Sequence, residues 1–264
     1  MPLDVHLKPV ESLLFRSDVL AIGKFRCPST HPLFRDSGPC SHHTFVFPRT
    51  MTQIRYADGP TITGNPSALL FYKQDQIYFR TKISDVDASD WYTVADDVLF
   101  EILDTDKLRS FVAPVSTRAF LAQRQLFDAL DRGETISPLH IEETVLSVLG
   151  RRVYSPPLSE PSRIEHVQAT IAKDISRNHT LRELARSVEL SPFALCRAFR
   201  KHTGETLTRF RDSLRLRLSL DRLRDRSTDI TQLALDLGYA SHSHFTARFR
   251  RCFGMTPSAF RAIA

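Results

Sequence analysis

The stretch from Asp229 to Arg261, DITQLALDLGYASHSHFTARFRRCFGMTPSAFR, decides the fold of this chain. Its apolar residues recur at helical spacing up to Gly238, which ends a first helix because glycine adopts the left-handed conformation at little cost. Ser241 then caps a second helix, in which Phe245 and Phe249 lie four residues apart on one face. The pattern predicts two short helices joined by a tight turn, followed by a third helix. The first helix has the N-cap Asp229 and the apolar positions Ile230, Leu233, Ala234 and Leu237.

The same pattern occurs once more, between Thr180 and Phe210. Residues before the turn match those of the later stretch at an offset of 49, and residues after it match at an offset of 50. The extra residue falls in the turn itself, where Gly238-Tyr239-Ala240 stands in place of Glu189-Leu190. An internal repeat of this kind predicts two copies of one helix-turn-helix unit, although amphipathic helices of an ordinary bundle would share part of the periodicity.

The signature LALDLGYASHSHFTARFRRCFGMTPSAFR at 233–261 resembles the DNA-binding domain of the AraC/XylS family of bacterial transcription regulators. The resemblance covers roughly residues 161–264 and implies two helix-turn-helix units joined by one long helix. That joining helix would run from Thr206 to Asp225. Its expected inward positions include Leu214, Leu218 and Leu223.

We therefore expect an α+β protein with a β-rich N-terminal domain and an all-α C-terminal domain. Short strand-like segments between turn sequences favour a small barrel or sandwich up to about residue 105, and the resemblance implies a cupin-like β-barrel sensor. Two amphipathic helices at about 116–149 would pack against it, either as a dimer contact or simply to close its core. The strand-like segments are 12–26, 44–47, 53–56, 68–72 and 76–79. The expected divisions are a cupin-like sensing or dimerisation domain at 1–153, a linker at 154–163, and an AraC-type DNA-binding domain at 164–264 with units at about 181–202 and 230–253.

Charge is distributed unevenly along the 264 residues, which are enough for two domains. Residues 161–264 carry 19 Lys and Arg against 10 Asp and Glu, whereas residues 1–160 carry 17 against 20. One basic and one mildly acidic half are typical of a polyanion-binding module attached to another domain. No apolar run approaches the ~20 residues of a membrane span. The N-terminus lacks the pattern of a signal peptide, so we expect a cytoplasmic protein.

The outward faces of the two second helices supply the candidate DNA contacts. Arg197 could pair bidentately with a guanine, and Phe193 could press on a thymine methyl. Many family members have arginine where this chain has Ala247. The adjacent Arg248 is turned by ~100° from that position, so we expect it to meet phosphate. The base contacts implied by the resemblance are Phe193, Cys196, Arg197, His242, Ser243 and Thr246. The expected phosphate contacts are Ser191, Arg200, Lys201, Ser241, Arg248, Arg250 and Arg251, and any single arginine among them could instead lie on a solvated face.

The N-terminal half contains one cluster of metal-ligating residue types. Thiolate and imidazole groups bind zinc, and two cysteines could form a redox pair. The spacing matches no zinc motif that we can justify, and these residues could simply cover the mouth of a barrel. Catalytic cupins hold a metal through HxH followed by a glutamate, which this half lacks, so we expect no metal, no cofactor and no enzymatic activity. The weak metal candidates are Cys27, His31, Cys40, His42 and His43.

Three interpretations remain open from the sequence. The first is a small-molecule-responsive activator, whose sensor domain changes how the DNA-reading units are presented. The second is a ligand-independent DNA-binding regulator whose N-terminal half only dimerises or docks RNA polymerase, and the third is a cupin-type enzyme with a regulatory tail. An apolar and aromatic cavity would support the first, a barrel filled by its own side chains the second, and three or more buried metal ligands the third. The expected partners are double-stranded DNA, RNA polymerase, a small-molecule effector and a second copy of the chain, with no membrane.

Overall fold

The computed structural model describes residues 2–35, 39–57, 61–83, 85–103, 111–149 and 163–263. The chain divides into two compact units, residues 1–160 and 161–264. The linker predicted at 154–163 lies outside the described residues, except for Arg163. None of the described helices is long and apolar enough to cross a membrane.

Two antiparallel sheets make up most of the N-terminal unit. The described strands are β1 (Glu11–Arg16), β2 (Leu20–Pro28), β3 (Thr44–Pro48), β4 (Thr52–Tyr56), β5 (Thr61–Gly64), β6 (Ala68–Tyr72), β7 (Tyr78–Thr81), β8 (Val86–Val94) and β9 (Phe111–Pro114). A six-stranded sheet has the order β1-β2-β8-β3-β6-β9, and a three-stranded sheet has the order β5-β4-β7. The helical elements are a 3₁₀ turn (Pro32–Phe34), α1 (Asp96–Ile102), α2 (Thr117–Asp131) and α3 (Pro138–Leu149).

The cupin-like β-barrel that the resemblance implies is not confirmed, because the described strands do not close into a barrel. Strands β1 and β9 are the two edges of the larger sheet, and β5 and β7 are the edges of the smaller one, so the described strands form two open sheets. Barrels and sandwiches both use strands whose side chains alternate between two faces. Apolar segments between turns therefore predict several of the strands without deciding whether their sheet closes.

The six-stranded sheet separates two apolar cores, because successive side chains of a strand point to opposite faces. Phe45 of β3 lies opposite Tyr92 of β8, and both belong to the core that contains side chains of α2 and α3. The next pair, Val46 and Trp91, belongs to a second core that includes side chains of the three-stranded sheet. Each face of the larger sheet is thus covered by a different layer.

Strand β8 lies inside the larger sheet, and the sequence pattern does not predict it. Asp87 and Asp90 interrupt its apolar residues, yet both are buried. Arg49 donates from Nε to Asp90 Oδ2 at 2.6 Å, and Arg80 Nε lies 2.7 Å from Asp87 Oδ2. Charged side chains are accepted in an interior when they are paired, so hydrophobic periodicity alone misses such a strand. The short elements β5, α1 and β9 also go unpredicted.

Helices form the described part of the C-terminal unit. They are α4 (Arg163–Lys173), α5 (Leu181–Ser187), α6 (Pro192–Thr203), α7 (Leu207–Arg224), α8 (Ile230–Asp236), α9 (His242–Phe253) and α10 (Pro257–Ile263). The predicted joining helix is present as α7. Thr206 caps it and Asp225 follows its last residue, as the sequence predicts.

Helix α7 is buried around most of its circumference, since α4, α6, α8, α9 and α10 all contact it. The predicted inward residues Leu214 and Leu223 are buried, but Leu218 is only half-buried. Leu216 and Leu220 are buried instead. A helix enclosed on several sides has no single apolar stripe, so helical periodicity identifies only some of its core positions.

The sequence repeat is also a repeat of packing. Phe199 of α6 lies against Phe210 of α7 with ring centroids 5.5 Å apart, and the equivalent pair Phe249 and Phe260 has centroids 6.0 Å apart. All four rings are buried. Each copy therefore fixes its second helix to the following helix through the same aromatic contact.

Candidate nucleic-acid interface

The two second helices, α6 and α9, are bounded in the same way at both ends. The side chains of Ser191 and Ser241 each accept a hydrogen bond of 3.1 Å from the backbone N–H three residues ahead. Gly204 and Gly254 end the helices with φ of 76° and 77°. These caps satisfy free backbone groups, so each helix begins and ends at a defined residue.

The turns that precede these helices require a left-handed residue, and the two copies supply it differently. Glu189 has φ of 54°, and Gly238 has φ of 79°. A Cβ atom on Gly238 would lie 2.1 Å from the carbonyl oxygen of Ser176, so this position needs glycine for space as well as for conformation. The left-handed conformation costs a non-glycine residue such as Glu189 about 1–2 kcal/mol.

Arg215 of α7 connects the segment before α5 to the turn before α9. Its guanidinium donates from Nη1 to the carbonyl oxygen of Gly238 at 3.0 Å, from Nε to that of Ile175 at 2.8 Å, and from Nη2 to that of Ser176 at 3.0 Å. Gly238 lies in the turn between α8 and α9, whereas Ile175 and Ser176 lie between α4 and α5. The residue is 5% exposed, so its donors are used inside the protein.

Arg215 and Arg217 add to the positive charge of the C-terminal unit without adding to its surface. Both are buried, and burial lowers the pKa of Arg217 to about 10. Sequence reasoning counted them only as basic residues. Their position beside Leu214 and Leu216, in a helix expected to be central, is the sequence signal that could have distinguished these two arginines from exposed ones.

On α6 the predicted DNA contacts share an exposed surface. Phe193 is 77% exposed, and Cys196, Arg197, Arg200 and Lys201 are exposed as well. Within the described residues, the side chains of Arg197 and Arg200 have no ion-pair or hydrogen-bond partner. An exposed aromatic ring beside free guanidinium groups has the chemistry needed to contact bases and phosphates.

On α9 the equivalent surface is more polar. His242, Ser243, Arg250 and Arg251 are exposed, and Thr246 is half-buried. Ala247, where many family members have arginine, is exposed and offers no hydrogen-bond donor from its side chain. The two candidate faces are therefore chemically different.

Arg248, predicted to contact phosphate, has a partner inside the protein. Its Nη2 atom lies 2.7 Å from Oδ2 of Asp212 in α7. The hydroxyl of Tyr239 donates to Oδ1 of the same carboxylate at 2.9 Å. Burial, together with this carboxylate, raises the pKa of Tyr239. Asp212 thus contacts both the turn and α9, a role that sequence reasoning missed because the three residues are far apart in the chain.

The N-terminal unit contains a cavity of about 60 Å³. Its lining mixes aromatic and charged side chains, and it lies on the face of β8 that carries Asp87, Ser89, Trp91 and Thr93. This volume accepts a few water molecules but is smaller than the ~300 Å³ at which small-molecule pockets begin. The principal lining residues are Lys8, Tyr72, Tyr78, Arg80, Asp87 and Trp91.

Asp90 and Tyr92 of β8 alternate with the cavity-lining residues, and they contact α2 on the other face of the sheet. Gln123 of α2 donates from Nε2 to Asp90 Oδ2 at 2.8 Å and to the hydroxyl of Tyr92 at 3.0 Å. Asp90 is fully buried and also accepts from Arg49. Strand β8 therefore connects the cavity lining to α2 through successive residues.

The five metal candidates each have another local role. Nδ1 of His31 and Nδ1 of His43 accept hydrogen bonds of 3.1 Å from the backbone N–H groups of Leu33 and Gln74. The four cysteines are free, and burial raises the pKa of Cys40 to about 12, which disfavours its thiolate. No group of three or more His, Cys, Asp or Glu within the described ranges is arranged to hold a metal. The other two candidates contact adjacent residues, Cys27 with Pro28 and His42 with Ser41.

The C-terminal unit matches known DNA-binding proteins. A model of the helix-turn-helix domain family matches residues 184–263, which extend from α5 into α10. The regulatory protein SoxS of Escherichia coli K12 is 34% identical over 104 residues, covering 39% of this chain and 97% of SoxS. The chain belongs to the AraC/XylS family of transcription regulators.

Longer family members match over part of their length. The transcriptional activator RhaR of Mannheimia succiniciproducens is 26% identical over 104 residues, covering 39% of this chain and 38% of RhaR. The XylDLEGF operon transcriptional activator 1 of Pseudomonas putida is 32% identical over 123 residues, covering 45% of this chain and 37% of that activator. The chain thus spans little more than a third of these two relatives. The solved structure of ToxT from Vibrio cholerae is 14% identical with a TM-score of 0.39, covering 93% of this chain and 98% of ToxT.

The match to the family covers most of the described C-terminal unit. The matched region contains the end of α5, all of α6, the joining helix α7 with Arg215, and the second helix pair. These relatives are named as regulators or activators, and none of the three is named as an enzyme. The chain therefore combines a sheet-rich N-terminal part with a helical C-terminal part that carries the match to this family of transcription regulators.

Proposed function

We propose that this regulator is a small-molecule-responsive activator that reads two successive major grooves with α6 and α9. The duplicated helix pair, whose second helices α6 and α9 both pack against α7, is the observation that supports this most. The 18 residues of α7 extend about 27 Å at 1.5 Å per residue. One turn of B-DNA measures about 34 Å, so a single chain would present two recognition helices to one side of the duplex.

The first half of the DNA site would be read by α6. Arg197 is exposed and free to pair with guanine O6 and N7, and the exposed ring of Phe193 would contact a thymine methyl group. Cys196 completes this set. Phosphate groups beside the groove would be contacted by Ser191, Arg200 and Lys201. These contacts position the helix without selecting bases.

The second half of the site would be read less sharply by α9. His242, Ser243 and Thr246 are its candidate base contacts, with Ser241, Arg250 and Arg251 on phosphates. Arg248 must leave or share the Asp212 carboxylate before it meets a phosphate. We therefore assign Arg248 a smaller share of the phosphate affinity than Arg250 and Arg251.

The N-terminal unit would sense the effector. Its cavity contains both cationic and aromatic side chains, and β8 connects the cavity lining to α2. A ligand that enlarges or fills this cavity would favour one arrangement of β8 and α2 over another. Differential affinity for two arrangements is what an effector needs to change DNA binding.

A ligand-independent regulator is the second candidate function. The small volume of the N-terminal cavity favours it, because the side chains of this unit fill most of the space between the sheets. In that case α2 and α3 would form a homodimer contact or dock RNA polymerase. Leu139 of α3 is 64% exposed and would be covered in such a contact.

Selection of bound duplexes from a random pool by the purified chain tests the function. We expect an enriched sequence whose affinity falls steeply with salt, since phosphate contacts release counterions. Repeating the selection with a cellular metabolite fraction separates the two candidates, because only an effector-responsive regulator changes its affinity. Failure to enrich any sequence, with folding intact, would contradict both.

A further inference from the structure

A second cavity, of about 300 Å³, opens at the surface of the C-terminal unit between residues of α4, α5, α6 and α7. Its lining combines apolar side chains with a few convergent polar groups, which is the usual composition of a small-molecule site. None of its described lining residues is acidic. The lining residues that matter for binding are Ile171, His179, Leu184, Arg200, Leu207 and Arg211.

Two arginine side chains of this cavity are unused by the described part of the protein. Arg200 and Arg211 have no ion-pair or hydrogen-bond partner there. The Nε2 atom of His179 is buried and also lacks a hydrogen-bond partner among those residues. Two guanidinium groups that are free within the described residues and lie beside one cavity favour an anionic ligand.

The N-terminus of α7 adds backbone donors to the same cavity. Leu207 and Thr208 line it and lie in the first turn, where N–H groups have no acceptor within the helix. Thr206 caps the helix by accepting from a different N–H, that of Arg209. In the second copy of the repeat, Pro257 stands in place of Leu207, is buried, and has no N–H to offer.

In the second copy of the repeat, the arginine at the equivalent position is hydrogen-bonded within the protein. Arg261, the equivalent of Arg211, donates from Nη2 to the carbonyl oxygen of Thr228 at 2.6 Å. Thr228 is in turn the equivalent of His179. The arginine that one copy uses for its own packing is therefore left available in the other, although both copies share one fold.

We propose that this cavity binds a small organic anion, a carboxylate or sulfonate with an apolar body. Arg200 and Arg211 bind the charged group, assisted by the first turn of α7. The apolar body packs on Ile171 and Leu184. Arg200 also lies on the exposed surface of α6, so the bound anion competes with DNA. This competition rests on the proposed function, whereas the site itself does not.

The test uses the full chain and the fluorescent anion 8-anilinonaphthalene-1-sulfonate. We expect saturable binding that Arg211→Ala weakens roughly tenfold through the loss of a charged hydrogen-bond donor. Leu207→Pro, which copies the second repeat at a position where proline is accepted, should also weaken it. Arg250→Ala is the matched control, because it removes the arginine equivalent to Arg200 in the other copy and should leave dye binding unchanged.

Alkylation of Cys196 locates the bound anion, since this exposed thiol lines the cavity. Iodoacetamide labelling followed by mass spectrometry should be slowed by the dye at Cys196 and not at Cys252. Unchanged labelling, with equal dye affinity in wild type, Arg211→Ala and Leu207→Pro, would overturn the site. Dye binding with these features that duplex DNA fails to displace would support the site and contradict the proposed DNA contact of Arg200.

Discussion

The Nη1 group of Arg215 donates a hydrogen bond of 3.0 Å to the carbonyl oxygen of Gly238, which joins α7 to the turn before α9. The same guanidinium also holds the segment before α5 through Ile175 and Ser176. One buried side chain thus contacts both the segment that leads into the first copy and the turn inside the second copy. Arg215 therefore fixes the turn before α9 to α7, and we expect its loss to affect the C-terminal unit as a whole.

Arg215→Lys should destabilise the C-terminal unit by about 3 kcal/mol, because an ammonium cannot serve several carbonyl oxygens in fork geometry and leaves buried acceptors unpaired. Denaturant unfolding followed by helical circular dichroism measures this change. Arg226→Ala removes an exposed charge from the same unit and serves as the control. The chain's one tryptophan lies in the N-terminal unit, so its fluorescence follows that unit separately. Equal stability of the two variants would show that Arg215 is dispensable.

Glycine should be the more stable residue at the left-handed position of both turns. Introducing it in the first turn and removing it from the second should therefore have opposite effects on stability. Glu189→Gly relieves a left-handed side-chain residue and should stabilise the unit by about 0.5–1 kcal/mol. Gly238→Ala introduces a Cβ against the carbonyl oxygen of Ser176 and should destabilise it by more than about 2 kcal/mol. Both changes are read from the same unfolding curves. A stabilising effect of Gly238→Ala would contradict the geometry of this turn.

Arg197→Ala should change base preference more than general affinity. The loss of one bidentate contact costs roughly 1–3 kcal/mol at a single base position. Arg250→Ala is the comparison, because a phosphate contact weakens all sequences about equally. Binding to a panel of single-base variants of the selected site distinguishes them. Indistinguishable preference profiles would mean that the two roles are wrongly assigned.

Sequence reasoning succeeded where a local signal sets the structure. The caps at Ser191 and Ser241 and the left-handed Gly238 follow from local backbone and side-chain preferences, whereas the bounds of the joining helix at Thr206 and Asp225 came from the family resemblance. The exposed surface of α6 follows from the same periodicity, because the buried aromatic face fixes the opposite one.

Long-range pairing accounts for most of what the sequence left undecided. Strand β8 depends on Asp90 meeting Arg49, and the position of Arg215 depends on carbonyl groups about 23 to 40 residues away in the chain. Asp212 of α7 likewise pairs with Arg248 of α9. A periodic pattern shows which residues are apolar, but it does not show which distant residue will pair with a buried charge.

The N-terminal cap of α5 should make that helix sensitive to acid. Glu183 accepts from the N–H and hydroxyl of Thr180 at 2.7 and 3.0 Å, and these bonds lower its pKa from the ordinary 4.5. Because the folded pKa lies below the unfolded one, the bonds stabilise α5 above the unfolded pKa. That stabilisation is lost as the pH falls through the folded pKa. Carboxyl titration by NMR should place the pKa of Glu183 below its ordinary value. Thr180→Ala removes the hydroxyl donor but keeps the backbone N–H, so it should raise that pKa only part of the way. An unchanged pKa in the variant would exclude a contribution from the hydroxyl.

The claim that one chain reads two successive grooves is tested most directly by hydroxyl-radical footprinting of the full chain on its selected site. Two different short elements should be protected, about 10 base pairs apart on one side of the duplex. Arg197→Ala should weaken protection of one element, and the double change His242→Ala with Ser243→Ala should weaken the other. Protection of a single compact palindrome, or loss of the same element in both variants, would contradict the two-groove account.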